Sequence, residues 1–294
     1  MSSSPNHSHQ SHLFGFFDAP SIPAAQVWLA IHSYMEEIGV AKTGYDLSPG
    51  IGKRRGYRER YLDRRLIAAE IAEELSKDDN NGYTIDHGVR GQALPLQHFV
   101  LRPSPNQRVG FQMLDVRTGT SEDTIQDWTP LVERLTALGN LVWLGNTCTP
   151  YIAWQNCSIP QTYEKQYGSI VDFETYELHG DVTLNVRRNP GSNHMHDGVM
   201  TRANSELWLG PQFWNFAPCT KEEVLAADFF LEKRDTLHYL YLKSWPHPFT
   251  RPDGEQGRVQ QKLWRLLYKQ DCEWPPGSGG ISDVPVGGPP ELMP

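Results

Sequence analysis

The stretch that decides the fold is Ser205–Val224, which reads SELWLGPQFWNFAPCTKEEV. Its beginning alternates in hydrophobicity, which predicts a short strand over residues 205–209, with two leucines on one face and Glu206 and Trp208 on the other. Gly210-Pro211 ends this strand, because proline has no N–H for a strand ladder and a fixed φ. The stretch contains no catalytic motif, so it predicts a packing role.

The second half of the stretch predicts an aromatic anchor followed by a capped helix. Phe213, Trp214 and Phe216 lie within four positions, and each such ring can bury about 150–250 Å². Thr220 and Glu223 have the T-x-x-E spacing of a capping box, in which hydroxyl and carboxylate accept from backbone N–H groups at a helix start.

The charge of the chain argues against direct binding of nucleic acid. It has 294 residues, 38% of them hydrophobic, which suffices for one large core or two modest ones. Asp and Glu number 35 against 27 Lys and Arg, giving a net charge of −8. A DNA or RNA binder normally carries a basic excess, so we expect a basic protein partner or none.

The cysteines and the termini predict a cytoplasmic protein. None of the cysteines has C-x-x-C spacing, so neither a zinc site nor a redox motif is indicated. The cysteines are Cys148, Cys157, Cys219 and Cys272. The amino terminus, MSSSPNHSHQSH, lacks the basic and apolar regions of a secretory signal, and no apolar run approaches a membrane span.

The predicted organisation is a single α+β domain over residues 12–274, with an alternative division into two lobes near 145–168. Residues 1–11 are rich in Ser and His and are expected to be disordered. Residues 275–294 form a Pro/Gly-rich tail. Because strands and helices are interspersed without a regular βαβ order, we predict a largely antiparallel or mixed sheet packed with several amphipathic helices.

The individual elements follow from periodicity and from capping signals. Predicted helices cover residues 24–38 (ended by Gly39), 57–76, 129–139 (with Thr129 as N-cap) and 254–268. Predicted strands cover residues 13–17, 98–101, 109–116, 141–144, 182–186, 205–209 and 237–242. Residues 150–168 are predicted to be irregular, and residues 189–198 to form a polar loop.

Two motifs suggest cofactor chemistry, and both are weak. His194, His196 and Asp197 could bind a divalent metal in a hydrolase, but the spacing is not H-E-x-x-H and the flanking Pro and Gly favour a solvated loop. The run Pro49–Arg54 resembles a phosphate loop but lacks its first glycine and its Ser/Thr. The prediction is therefore no metal and no cofactor.

An acidic cluster is the best candidate for a partner-binding site. Asp172, Glu174, Glu177 and Asp181 could be an acid/base pair as in glycosidases, a face for a basic partner, or an ordinary charged surface. No G-x-S-x-G nucleophile motif is present, so no catalytic residue is predicted. The residues predicted to bind a partner are Asp172, Glu174, Glu177, Glu222 and Glu223.

The runs at residues 206–214, ELWLGPQFW, and 220–225, TKEEVL, resemble the carboxyl-terminal half of the immunity protein 52 family. That family belongs to bacterial polymorphic toxin and type VI secretion systems. The resemblance implies a non-catalytic protein that binds and neutralises a cognate secreted toxin, a nuclease of restriction-endonuclease-like fold. A non-catalytic adaptor of a secretion system is the other alternative, beside the metal-dependent hydrolase.

Overall fold

Helices and antiparallel strands follow one another irregularly along this chain, which confirms the predicted α+β class. The computed structural model describes residues 10–18, 22–49, 65–77, 83–87, 97–103, 111–119, 126–166, 170, 175–186, 189–192, 194–196, 199–246 and 255–269. The chain divides into two units, Met1–Leu144 and Gly145–Pro294.

In its described residues, the first unit comprises a sheet and three helices, and its strands lie in the order β6-β1-β5-β4-β3-β2. Its strands are β1 (Gln10–Asp18), β2 (Asp46–Pro49), β3 (Tyr83–His87), β4 (Gln97–Pro103), β5 (Phe111–Gly119) and β6 (Leu141–Cys148), which continues into the second unit. Its helices are α1 (Ala24–Glu37), α2 (Ala68–Ser76) and α3 (Thr129–Leu138).

Helix α1 packs through the apolar face that its sequence predicts. Trp28 lies edge-on to Tyr45 and Phe99, with ring centroids 4.9 and 5.4 Å apart, and its Nε1 donates to the carbonyl of Ala68 at 2.9 Å. Gly39 ends the helix with φ +73°, a left-handed conformation that glycine adopts without steric cost. The predicted helix end is therefore confirmed.

In the second unit, strands β12, β13 and β11 are neighbours in that order. Its strands are β7 (Thr175–Leu178), β8 (Asp181–Leu184), β9 (His194–His196), β10 (Val199–Thr201), β11 (Glu206–Leu209), β12 (Glu232–Asp235) and β13 (Leu240–Lys243). Its helices are α4 (Thr149–Gln155), α5 (Pro160–Gln166), α6 (Lys221–Ala226) and α7 (Glu255–Tyr268), with a 3-10 turn at Pro211–Asn215. Strands β7 and β8, and likewise β9 and β10, form separate two-stranded antiparallel sheets.

The stretch Ser205–Val224 folds in the predicted order of strand, aromatic cluster and capped helix. All four residues of β11 are buried, so both faces of the strand are covered rather than one. Phe213 is fully buried and contacts Trp214 and Phe216 edge-on, at 5.1 and 5.3 Å between ring centroids. These two outer rings are only half-buried, so Phe213 alone anchors the cluster.

Several predicted boundaries are wrong for local physical reasons. The helix predicted over 57–76 begins at Ala68, because Leu66 pairs with Tyr45 in an isolated β-bridge; residues 57–64 lie outside the described residues. Thr129 is the first helical residue of α3 rather than its N-cap, and its N–H donates to Asp127 Oδ1 at 2.9 Å. Strand β1 starts at Gln10, inside the segment expected to be disordered.

Two regions predicted to lack regular structure contain it. Residues 150–168 hold most of α4 and all of α5, where Tyr151, Trp154 and Tyr163 are buried together. The predicted polar loop over 189–198 contains β9, which pairs with β10. The expectations for residues 1–9 and 275–294 lie outside the described residues.

A buried ion pair crosses from β1 to β5 in the first unit. His12 Nε2 lies 2.8 Å from Asp115 Oδ1, and the Arg117 guanidinium donates to both Asp115 oxygens at 3.0 and 2.7 Å. Burial alone would raise the pKa of the Asp115 carboxyl. The charges and hydrogen bonds of His12 and Arg117 outweigh that effect and hold this pKa well below its ordinary range.

We predict that Gly15→Ala lowers the free energy of unfolding by about 1–3 kcal/mol, because strand β6 approaches too closely for a side chain. A Cβ on Gly15 would lie 2.7 Å from the Cα of Leu144 and would overlap the carbonyl of Trp143. Chemical denaturation measures the change, and Ser33→Ala on the exposed side of α1 is the control. Equal stability of Gly15→Ala and the natural protein would contradict the close approach.

We predict that Asp115→Asn lowers the free energy of unfolding by about 3–5 kcal/mol near neutral pH, because the change breaks a buried ion pair. The folded-state pKa of Asp115 is depressed, so its stabilisation is present above the unfolded pKa of about 3.9 and is lost as the pH falls through the folded pKa. The difference between the two proteins should therefore shrink below about pH 4.

Denaturation curves at several pH values measure this difference. The matched control is Asp46→Asn, because Asp46 also pairs with an arginine but is half-exposed. Its Oδ2 lies 3.8 Å from Arg65 Nε. Its loss should change stability by about 1 kcal/mol or less. The free energies of unfolding of Asp115→Asn and of the natural protein are compared at each pH. If their difference stays the same well below about pH 4, the pairing assigned to Asp115 is wrong.

Candidate partner-binding surfaces

The predicted acidic residues lie on two separate elements of the second unit. Glu177 lies on β7, whereas Glu222 and Glu223 lie on α6. Asp172 and Glu174 lie outside the described residues. Glu177 is therefore on a different element from the two helical glutamates.

Glu223 is occupied by structural contacts. Its N–H donates to Thr220 Oγ1 at 3.2 Å, and the N–H of Thr220 donates to Glu223 Oε2 at 2.8 Å, which confirms the capping box. Its other oxygen, Oε1, accepts from Lys269 Nζ at 2.7 Å. The Lys269 bond first, and the Thr220 bond second, lower the pKa of Glu223. Of the two predicted α6 residues, Glu223 therefore has a structural role.

Helix α6 is tied to strand β12 by two lysines. Lys221 Nζ lies 2.7 Å from Asp235 Oδ1. Lys233 Nζ donates at 2.6 Å to the carbonyls of Leu225 and Ala227, at the carboxyl end of the helix. A cation there satisfies carbonyls that have no partner within the helix. We call α6 and β12 together the α6–β12 surface.

The β12–β13 turn presents an exposed leucine on a fixed backbone. Thr236 Oγ1 accepts from the N–H groups of His238 and Tyr239 at 3.3 and 3.0 Å, and the Thr236 N–H donates to the Tyr239 carbonyl at 3.0 Å. Leu237 is 87% exposed at the turn. Strand β12 itself, Glu-Lys-Arg-Asp, is exposed and fully charged, which hinders the pairing of a further strand.

The β7–β8 hairpin is anchored at its base and exposed at its tip. Leu184 is fully buried against Tyr151, Trp154 and Tyr163, and its N–H donates to the Ser158 carbonyl at 2.8 Å. The two turn residues, His179 and Gly180, have φ values of +53° and +89°. Two-residue turns of this left-handed kind match the twist of antiparallel strands.

The tip of the hairpin combines aliphatic and acidic side chains. Leu178 and Val182 are 46% and 61% exposed. In the antiparallel register Glu177 pairs with Val182, and Leu178 pairs with Asp181. Because successive residues of a strand point to opposite faces, these two pairs lie on opposite faces of the hairpin. Residues 175–184 contain no Lys or Arg, so each face carries one carboxylate and one aliphatic group.

The buried carboxylate of Glu206 has a structural role. Its carboxylate accepts from Asn146 Nδ2 at 2.6 Å, from the Tyr241 hydroxyl at 3.0 Å and from Lys243 Nζ at 3.0 Å. Burial first, and then the Glu206 charge, raise the pKa of Tyr241, so its hydroxyl stays protonated and donates. The sequence analysis placed Glu206 on a strand face but did not identify this network, whose only local signal is a carboxylate among buried strand residues.

The metal and nucleophile alternatives receive no geometric support within the described residues. There, no three His, Cys, Asp or Glu side chains lie close enough to hold a metal ion. His194 and His196 lie on β9, and Asp197 lies outside the described residues. Burial raises the pKa of the Cys148 and Cys219 thiols to about 12, which disfavours a thiolate. Among the described helices, none has the length and apolarity of a membrane span.

The sequence did not predict the exposure of Leu178, Val182 and Leu237, which are three of the exposed aliphatic residues in the described part of the chain. A signal existed for the first two: His179-Gly180 separates two short runs, and a glycine there is typical of a hairpin turn. The exposure of an aliphatic side chain is not readable from one sequence, because buried and exposed leucines have the same local pattern. Leu237 was assigned to a strand that starts only at Leu240.

We predict that Glu206→Ala lowers the free energy of unfolding by about 3–5 kcal/mol, since it leaves buried donors without their carboxylate. The matched control is Glu232→Ala. Both glutamates pair with Lys243 in the sheet register, but Glu232 lies on the exposed edge strand. Its loss should cost about 1 kcal/mol or less. Equal losses in thermal or chemical denaturation would refute the structural role assigned to Glu206.

Comparison with known proteins gives a fold and no family. No family model matches this sequence, and no curated protein matches it. Among solved structures, the Pseudomonas aeruginosa T6SS protein PA0821 has a similar fold, with a TM-score of 0.51 and 10% sequence identity. The alignment covers 95% of this chain and 79% of that chain. At this identity the similarity concerns the fold alone, and the resemblance to the immunity protein 52 family stays a prediction.

Proposed function

We propose that this protein binds a cognate secreted toxin of a type VI secretion system, most simply a nuclease, and neutralises it by occlusion in the cytoplasm. The observation that carries the proposal is the fold similarity, over 95% of the chain, to a protein of that secretion system. The sequence resemblance to an immunity family points to the same biological setting. In this proposal the protein performs no catalysis of its own.

The charge of the chain supports a basic partner. The net charge of −8 would repel nucleic acid and attract a nuclease, whose substrate-binding surface must be basic. Complementary charge accelerates the encounter of two proteins, by up to several orders of magnitude at low salt. Rapid capture suits a protein that has to act before a toxin damages the cell.

The exposed aliphatic side chains support recognition through contact. Leu178 and Val182 are held on the β7–β8 hairpin and face solvent in the isolated chain. A stable inhibitory complex buries about 1,200–2,000 Å² in total, with a few apolar or aromatic residues supplying most of the affinity. Rigid hairpins supply such residues at a small entropic cost, because their backbone is already ordered.

We predict that co-expression of this protein protects cells from the toxin encoded by the neighbouring reading frame, and that the two proteins copurify. The measurement is colony survival on induction of the toxin, with and without this protein, followed by size-exclusion chromatography of the purified pair. An empty vector and an unrelated acidic protein are the controls. Unchanged killing together with no complex would remove the proposal.

Two measurements separate the alternatives. A complex without protection would indicate an adaptor of the secretion system. A stoichiometric metal in untagged purified protein, lost in His196→Ala, would indicate the hydrolase alternative. Elemental analysis provides that second measurement independently of any toxin.

A further inference from the structure

We propose that the β7–β8 hairpin, residues Thr175–Leu184, is the element that enters a basic cleft of the partner protein. This inference rests on the proposed function and names the surface and the chemistry by which it would act. The hairpin combines what such a contact needs: exposed aliphatic groups, carboxylates on a segment without Lys or Arg, and a fixed backbone.

The carboxylates of the hairpin are available to an incoming cation. Glu177 and Asp181 are both exposed, and neither carboxylate forms an ion pair within the described part of the chain. Each lies directly across the hairpin from an aliphatic side chain, Glu177 from Val182 and Asp181 from Leu178. A cleft lined by Lys or Arg could therefore pair with a carboxylate on either face of the hairpin.

The aliphatic groups supply what charge alone does not. Leu178 and Val182 leave water when the tip enters a cleft, and the burial of apolar surface favours association. Because they lie on opposite faces, both are covered only by a partner that surrounds the tip. This geometry fits a cleft better than a flat surface.

The hairpin is also ordered before binding. Leu184 fixes its base in the core formed by Tyr151, Trp154 and Tyr163, and the Ser158 carbonyl accepts from the backbone of β8. The turn at His179-Gly180 sets the direction of the tip. A pre-ordered element loses little conformational entropy on binding, which favours affinity.

The α6–β12 surface is the weaker candidate. Glu223 serves the helix cap and Lys269, and Asp235 is paired with Lys221. Arg234 and Lys233 place positive charge on the same strand. A basic partner would meet mixed charge there, whereas the β7–β8 hairpin presents two carboxylates and no Lys or Arg.

The partner chemistry is that of a cleft built to hold a phosphate backbone. Such clefts present Lys and Arg side chains at the spacing of successive phosphates, and carboxylates can occupy the same donors. Entry of the hairpin would exclude nucleic acid from the cleft by occupying it. The proposed partner is therefore a nucleic-acid-processing toxin, and the proposed contact is at its substrate cleft.

The test uses the full-length protein and a catalytically inactive form of the toxin encoded by the neighbouring reading frame. Association and dissociation rates are measured by surface plasmon resonance at two salt concentrations. Glu177→Lys with Asp181→Lys should slow association by about 10-fold or more at low salt and reduce its salt dependence. Leu178→Ala with Val182→Ala should accelerate dissociation by about 10-fold or more.

The matched controls lie on the α6–β12 surface and its turn. Glu222→Lys tests an exposed carboxylate outside the hairpin, and Leu237→Ala tests an exposed leucine outside it. Both should bind within about 3-fold of the natural protein, as residues outside an interface do. If the controls lose affinity and the hairpin variants do not, the docking surface is α6–β12 and the inference is wrong.

A second measurement does not depend on variants. Hydrogen exchange of the natural protein should slow at residues 175–184 on addition of the toxin. For the binding measurements, circular dichroism should show that all four variants fold. Binding of the natural protein without protection of residues 175–184 overturns the hairpin assignment and leaves the proposed function standing. Absence of binding and of cellular protection overturns the proposed function itself.

Discussion

A carboxylate buried in a sheet has to be surrounded by donors, and this requirement fixes the strands on which the rest of the structure depends. Asp115 in the first unit is held by His12 and Arg117, and Glu206 in the second by Asn146, Tyr241 and Lys243. The donors come mostly from neighbouring strands. A one-residue slip would turn every side chain of a strand to the opposite face and leave the carboxylate without them.

The same residue type serves structure or recognition according to the donors around it. Glu223 has a backbone N–H and Lys269 within hydrogen-bond distance, so its charge is used within the second unit. Glu177 is exposed on a hairpin segment without Lys or Arg, and its carboxylate forms no ion pair within the described residues. Both residues are predicted from the sequence to bind a partner, one in an acidic cluster and the other on the capped helix. Composition counts carboxylates, but it does not show which of them already accept hydrogen bonds.

The sequence predicted long periodic elements well and short ones poorly. Helices α1 and α7 have enough turns for their apolar face to be read, and the Thr220 box is a pattern of defined geometry. Strands β2, β3, β7 and β12 have four or five residues each, too few for alternation to stand out. The α4–α5 region was missed because buried Tyr and Trp do not favour a helix by propensity; tertiary packing decides it. The candidate site was predicted only through Glu177, since exposure depends on the whole fold.

A fold shared at 10% identity shows what such a scaffold requires of its sequence. Hydrophobic cores accept many combinations of apolar side chains if volume and pattern are kept, so little identity is needed to preserve the sheet. Recognition residues on hairpin tips are freer still, because they contribute little to the stability of the isolated protein. A protein that acts by contact needs no reactive side chain at a fixed spacing, and its specificity can change with the partner while the core persists. Its function is therefore better read from which charges and aliphatic groups the fold leaves exposed than from sequence motifs.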